Sequence, residues 1–265
     1  MVARASLHLW EEPVISGEHG SGTVFFTGCN LRCVFCQNHR ISSGQQGKAI
    51  TVARLKEIYQ ELIAQGAHNI NLVTPTHYTD QILQSLDTPL PVPVVWNSNG
   101  YEDVRTLQKL EGKIQIYLPD LKYSDNILAA RYSSAPDYFE QACAAIDEMF
   151  RQVGSFEFDA NGMMKRGVII RHLILPGQVE NSLHVIDYIS RRFKPGEVLF
   201  GLMRQYTPSG AVSQENFPEL NRVVSDEEYR IVEDHLFASG IEDGYVQDED
   251  SASRQYIPEF DNRGV

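Results

Sequence analysis

Two hydrophobic periods alternate along this chain. Short apolar runs rich in β-branched residues have the character of buried strands, and longer segments with apolar positions every three or four residues have that of helices. Thr23–Thr27, Asn69–Val73, Val92–Trp96, Ile114–Leu118, Val168–Leu175 and Glu197–Leu202 read as six strands. Among the helices, Thr51 can cap one carrying Val52, Leu55, Ile58, Tyr59 and Leu62, with Gly66 as its stop. Others are predicted over Gln81–Leu86, Tyr101–Leu110, Asp137–Phe150 and Asn181–Phe193. A capping box at Ser225 and Glu228 starts the last, Asp226–Ser239, which Gly240 ends. Asn161-Gly162 between Ser155–Asp159 and Met163–Lys165 suits a type I′ hairpin turn. Strand–helix alternation implies a parallel sheet with right-handed crossovers. The expected fold is α/β, a partial (β/α)6 barrel of parallel strands with outer helices, open on one side. A single domain accounts for residues 1–265, with a barrel core over 12–240 and an acidic tail over 241–265. That tail is either a solvated extension or a cover for the open edge.

Composition narrows the class. Apolar residues make up 42% of the chain and aromatics 10%, enough for a proper core. Net charge is −12 with no basic run, which argues against nucleic acid as partner and leaves proteins and small molecules. No apolar run reaches signal-peptide length or the ~18 residues that span a bilayer. The expected setting is the cytoplasm, with reduced thiols and no membrane.

The cysteines change the picture most. Cys29, Cys33 and Cys36 are three of only four, spaced Cys-x3-Cys-x2-Cys in one loop just after a strand, with Gly28 permitting the tight exit. One loop of this spacing can wrap three thiolates around three corners of a [4Fe–4S] cluster and leave the fourth iron open. Zinc held by Cys29, Cys33, Cys36 and His39 is the rival, yet structural zinc sites usually draw on two separated ligand pairs. A disulfide has little support without a secretory segment. Cys143 lies on the apolar side of a predicted helix and reads as a small core residue.

An open iron is known to chelate the amino and carboxylate groups of S-adenosylmethionine. In a barrel, partners for that cofactor sit at the strand ends, which converge on one rim. Thr74, Thr76, Asp120 and Lys122 suit its ammonium and carboxylate, Asn97 and Asn99 its ribose, and the region of Ile174 its adenine. Asp120 and Lys122 can also be a surface ion pair, Asn97 and Asn99 turn formers before Gly100, and His77 a helix-start residue.

Together the loop, including the aromatic Phe35, and the strand ends resemble the radical S-adenosylmethionine superfamily. Within it the chain is most similar to activating enzymes of glycyl radical enzymes, in the branch termed pyruvate formate-lyase activating. The stretches Gly20–Phe26, Gly28–Asn38, Asn71–His77, Asp120–Lys122, Ile170–Gly177 and Met203–Pro208 carry this resemblance, which runs from about residue 11 to 261. It implies an enzyme, a radical oxidoreductase of the activating type, whose cofactors are a [4Fe–4S] cluster and S-adenosylmethionine. Cys29, Cys33 and Cys36 would hold the cluster. Phe35, Asn99, Asp120, Lys122 and Arg171 would contact S-adenosylmethionine. The implied partners are a glycyl radical enzyme as protein substrate and flavodoxin or ferredoxin as electron donor. Departures fall around the rim. Thr74-Pro75-Thr76 stands where the family has Gly-Gly-Glu, and Gln205-Tyr206 where a histidine is expected. An N-terminal cysteine segment and a ferredoxin-like insert are also expected to be lacking. Alternatives are a radical enzyme acting on a small molecule or peptide, and a non-catalytic metal-binding or redox-sensing module.

Overall fold

A computed structural model describes residues 1–42, 46–247 and 258–265. In chain order its first half contains β1 (Val2–His8), α1 (Pro13–Ser16), β2 (Ser21–Phe26), α2 (His39–Ser42), α3 (Val52–Ala64), β3 (Ile70–Val73), α4 (Thr79–Ser85), β4 (Val94–Ser98), α5 (Val104–Gln108) and β5 (Ile116–Pro119). The second half adds α6 (Asn126–Ser133), α7 (Tyr138–Val153), β6 (Glu157–Phe158), β7 (Met164–Leu173), α8 (Val179–Arg192), β8 (Leu199–Met203), α9 (Asp226–Ala238) and β9 (Gly244–Val246).

The six expected strands are β2, β3, β4, β5, β7 and β8, and they lie parallel in that order. Two strands extend the sheet beyond the expected 12–240 core. β1 pairs antiparallel with β2, and the short β9 adds in parallel beside β8. These two are the sheet edges, so the barrel is not closed. Both strands give weak sequence signals. β1 is built largely of small and polar residues, and β9 has only three residues, two of them exposed.

Side chains alternate across each strand. Outward ones such as Leu72, Trp96, Tyr117, Ile170 and Phe200 join the large core beneath the helices. On α7, Tyr138, Ala142, Ala145, Ile146 and Met149 recur at helical spacing and bury one face. Inward ones, including Val95, Ile116, Leu118, Ile169 and Leu199, form a second core with Ile15 of α1. The one-turn helix α1 therefore plugs the barrel from within. Asn69, itself held by Ser21, donates to the Ile15 carbonyl at 2.7 Å. Ile15 is fully enclosed, a burial that contributes about 2 kcal/mol.

The hairpin forms with a different turn. A type I′ turn needs positive φ at both Asn161 and Gly162, but only Gly162 has it. Instead Gly162 N donates to Asp159 O, and the Asp159 carboxylate accepts from the amides of Asn161 and Met163. The aspartate closes the loop, so Asn161 has no need of the left-handed region. α5 is also shorter than expected, because Asp103 caps it at Thr106 N. Most of the acidic tail's middle lies outside the described residues. Its last residues run along β1, where Phe260 packs on Ala3, Phe25, Ile41 and Val73 and Asn262 N donates to Ala3 O.

Candidate active site

β2 delivers the chain to Gly28, whose φ of +83° turns it into the cysteine loop. Neighbouring elements pin that loop through its backbone. Arg32 N and Val34 N donate to the carbonyls of Ser133 and Tyr132 at the end of α6, and Ala211 N donates to Val34 O. Each thiol has a polar neighbour. Asn99 Nδ2 donates to Cys29 Sγ at 3.2 Å, Ser133 Oγ donates to Cys33 Sγ at 3.0 Å, and Ser42 Oγ lies 3.3 Å from Cys36 Sγ. Burial pushes the Cys33 thiol up to about 12 and raises that of Cys29, with Lys122 acting against both. Thiolates in this loop therefore need a strong cation to form, as cluster iron provides.

Among the described residues, no three His, Cys, Asp or Glu side chains close on one ion-sized point. A tetrahedral zinc demands such a point, with every sulfur about 2.3 Å from it. A [4Fe–4S] cluster instead spreads its ligands over separate corners, which suits three thiols each held by its own partner. His39 is exposed at the start of α2.

A cavity of about 250 Å3 opens beside Cys33 and Cys36. Phe25, Phe35, Val73, Leu173 and Met203 supply apolar wall, while Glu11, Asn97, Asp120, Lys122 and Arg171 supply charge and hydrogen-bonding groups. The polar groups interlock. Lys122 Nζ donates to Asp120 Oδ2 at 2.5 Å, and Arg171 Nε to Asp120 Oδ1 at 3.0 Å. Arg171 also reaches Asn97 Oδ1 at 2.8 Å and Glu11 Oε2 at 3.3 Å. Burial alone would raise the Asp120 carboxyl, but Lys122 and Arg171 outweigh it and hold the group below the usual range.

Backbone geometry makes this possible. At Gly100, φ is +79° and a Cβ would lie 2.1 Å from Asp120 O, so only glycine lets the end of β4 approach the end of β5. The 120–124 segment is then held from three sides. Tyr138 OH lies 2.8 Å from the carbonyls of both Asn99 and Asp120 and accepts from Lys122 N. His172 contacts Leu121 O at 2.7 Å, and Asn181 takes both Lys122 O and Ser124 N.

Of the expected cofactor residues, Phe35, Asn97, Asp120, Lys122 and Arg171 share the cavity, and Asn99 stands at Cys29. Thr74 and Thr76 do not line it. Thr76 Oγ1 donates to the buried Glu102, while Thr74 sits in the left-handed region at φ +54°. Ile174 is enclosed in the outer core, and Leu173 takes the wall position. Gln205 lines the cavity, whereas Tyr206 turns inward, donating to Leu220 O and meeting the Phe35 ring edge-on. Cys143 lies half-buried on α7, away from the loop. Sequence reasoning missed Glu11, Glu12, Tyr138, His172 and Asn181. The acid pair carried one unused signal, two adjacent carboxylates between Trp10 and Pro13.

Comparisons place this architecture. Spore photoproduct lyase, as a cysteine-to-serine variant, superposes with a TM-score of 0.58 at 13% identity, covering 92% of this chain and 79% of that one. The Streptococcus suis protein SuiB, bound to its precursor peptide SuiA, gives 0.54 at 13% identity over 84% of this chain and 47% of SuiB. Both likenesses concern the fold. An uncharacterized protein of Methanocaldococcus jannaschii is 32% identical over 232 residues, 84% of this chain. The chain spans 62% of that relative's length. Among the described residues, no helix is long and apolar enough to cross a membrane. Residues 23–189 match the model of the radical SAM superfamily. The chain belongs to that superfamily, whose cofactors are a [4Fe–4S] cluster and S-adenosylmethionine and whose chemistry needs a reductant.

Proposed function

We propose that this protein is an activating enzyme that installs a glycyl radical on a partner enzyme, with flavodoxin or ferredoxin as its electron donor. When bound, the cluster and cofactor supply one-electron cleavage of the sulfonium to methionine and a 5′-deoxyadenosyl radical, which would take one hydrogen from a glycine Cα to give 5′-deoxyadenosine. Cys29, Cys33 and Cys36 would hold three irons, and Asn97, Asp120, Lys122 and Arg171 would orient the cofactor. One observation carries this reading. The stretches resembling the activating branch lie in and just after β2, β3, β5, β7 and β8, and residues from them line one cavity. That cavity reaches the surface beside Trp10, which is 62% exposed, so a segment of another protein has a way in.

A second reading, a radical enzyme acting on a peptide or small molecule, is favoured by Glu11 and Arg171 in the cavity wall. The glycine that would be attacked has no side chain for them. The test begins with anaerobic reconstitution and reduction by dithionite. Electron paramagnetic resonance with and without S-adenosylmethionine should show a reduced cluster that changes on addition, with 5′-deoxyadenosine released. Candidate glycyl radical enzymes are then added. A glycine-centred radical, lost when that glycine is alanine, supports activation. Consumption of a peptide or amine with no protein radical supports the second reading. A zinc protein that never forms a cluster ends both.

A further inference from the structure

Three carboxylates meet two cations under the cofactor cavity. Glu11, Glu12 and Asp120 pair only with Arg171 and Lys122 among the described residues. Arg171 is already divided among Asp120, Asn97 and Glu11, and its Nε stands 3.9 Å from Glu12 Oε1. Glu12 Oε2 is buried without a hydrogen-bond partner. Asn71, a fully enclosed residue on β3, turns its side-chain amide towards Glu11 and has no other partner among the described residues. Gly201, across from Arg171 on β8, contributes no side chain over Glu12. The other titratable group facing Glu12 is Tyr245 on β9, which brings no positive charge.

A buried carboxylate without a matching charge is strongly unfavourable unless it takes up a proton or a ligand compensates it. With all three carboxyls ionised the excess here is one negative charge, beside a cavity with an exposed aromatic ring at its mouth. We propose that Glu11 and Glu12 form a carboxylate subsite for one positively charged group. Its occupant is the sulfonium of S-adenosylmethionine, or an ammonium or guanidinium carried by the substrate. Both place a monocation against the same carboxylates, and Trp10 can add a cation–π contact for a substrate entering past it. The inference rests on the cavity being the cofactor and substrate chamber, not on which molecule donates hydrogen.

The test uses the reconstituted full chain, wild type and Glu12→Gln, with Glu11→Gln as second variant. Dissociation constants are measured for S-adenosylmethionine and for S-adenosylhomocysteine, which lacks the methyl group and the positive charge. With the sulfonium as occupant, the variants lose at least about tenfold of the wild-type preference for the charged cofactor, and S-adenosylhomocysteine binding stays level. With a substrate cation as occupant, that preference survives. Butylammonium or butylguanidinium then perturbs the spin resonance of the cofactor-loaded cluster in wild type but not in Glu12→Gln. If the preference is unchanged and neither cation registers, no such subsite exists. Thermal unfolding of the ligand-free proteins adds an independent readout. At pH 8, above the value of about 7 to which burial pushes the Glu12 carboxyl, an uncompensated carboxylate predicts an equal or higher Tm for Glu12→Gln, whereas a lower Tm makes Glu12 a structural partner of Arg171 and overturns the proposal. No arm uses a glycine-bearing partner, so activation can fail while the subsite stands.

Discussion

Tyr123, Ser133 and Cys33 form a buried line of hydrogen bonds, 2.7 and 3.0 Å long, between α6 and the cysteine loop. Since Ser133 donates to the sulfur, Tyr123 must donate to Ser133. A donor at a cluster sulfur stabilises the reduced state and raises the potential. Removing one neutral hydrogen bond in Ser133→Ala should lower the midpoint by about 20–60 mV. A redox titration followed by electron paramagnetic resonance reads this directly, and an unmoved midpoint would show that the hydroxyl does not tune the cluster. His172 gives a second residue-scale expectation. Burial depresses its pKa to about 4 from an ordinary 6.5, so the unfolded chain binds the proton that the folded one refuses. Its contribution is therefore intact at pH 7.5 and is lost as pH falls from 6.5 towards 4. Glu12 and Glu102, both pushed up to about 7 by burial, act in the opposite sense. The clean measurement is the stability difference between wild type and His172→Gln by urea unfolding. It should shrink by about 2 kcal/mol between pH 7.5 and 5, since the variant lacks the titration. The cysteines were legible at this scale because three thiols within eight positions have few other uses. Glu11 and Glu12 were not, because two acids beside a proline look like any surface turn until the chain is seen threading the barrel.

The exit of β5 shows what elements do for the site. Asp120 and Lys122 would be ordinary loop residues if their backbone were free. Tyr138 from α7, His172 from β7 and Asn181 from α8 each fix one part of that segment. The strands themselves could be read because buried parallel strands are short apolar runs, and α7 because its apolar stripe has a period near 3.6. The clamps could not, since a tyrosine in the first turn of an amphipathic helix looks like core. α6 escaped notice for a related reason. Asn126–Ser133 buries only Ala129, Tyr132 and Ser133, too few positions to make a stripe. Tyr138→Phe keeps the ring and removes the hydroxyl shared by two carbonyls and an amide. That should cost about 1–3 kcal/mol of stability. Weaker S-adenosylmethionine binding should accompany it, because Asp120 and Lys122 lose their fixed spacing. Equilibrium unfolding and cofactor titration of the same preparation check both, and unchanged affinity would mean that His172 and Asn181 suffice. A contrasting case is Thr74, a β-branched residue held at φ +54° at the end of β3. Thr74→Gly should raise the unfolding free energy by about 1 kcal/mol by relieving that strain.

Charge is distributed unevenly over the molecule as a whole. The net charge is −12, yet between Glu18 and Glu57 there is no acidic residue, while Arg32, Arg40, Lys48, Arg54 and Lys56 all fall there. That interval contains the cysteine loop. Several of its cations are occupied: Lys48 reaches the C-terminal Val265, Arg54 pairs with Glu57 and Glu61, and Lys56 with Asp87. Arg32, between Cys29 and Cys33, and Arg40, just after Cys36, are exposed and make no ion pair among the described residues. An acidic electron carrier would be repelled by most of this surface and attracted here, in and beside the cysteine loop. Charge at the rim of an encounter acts mainly on the association rate and is screened by salt. Arg32→Glu with Arg40→Glu should therefore slow cluster reduction by a reduced flavodoxin about tenfold at low ionic strength. The deficit should close at about 0.3 M salt, where the screening length falls to a few ångströms. Dithionite, a small reductant that needs no docking face, should reduce variant and wild type alike, which separates slower docking from a damaged cluster. Anaerobic stopped-flow absorbance measures all three conditions. Equal rates with the carrier at low salt would mean that electrons enter by another face, and the acid-free interval would then reflect only the cluster's own negative charge.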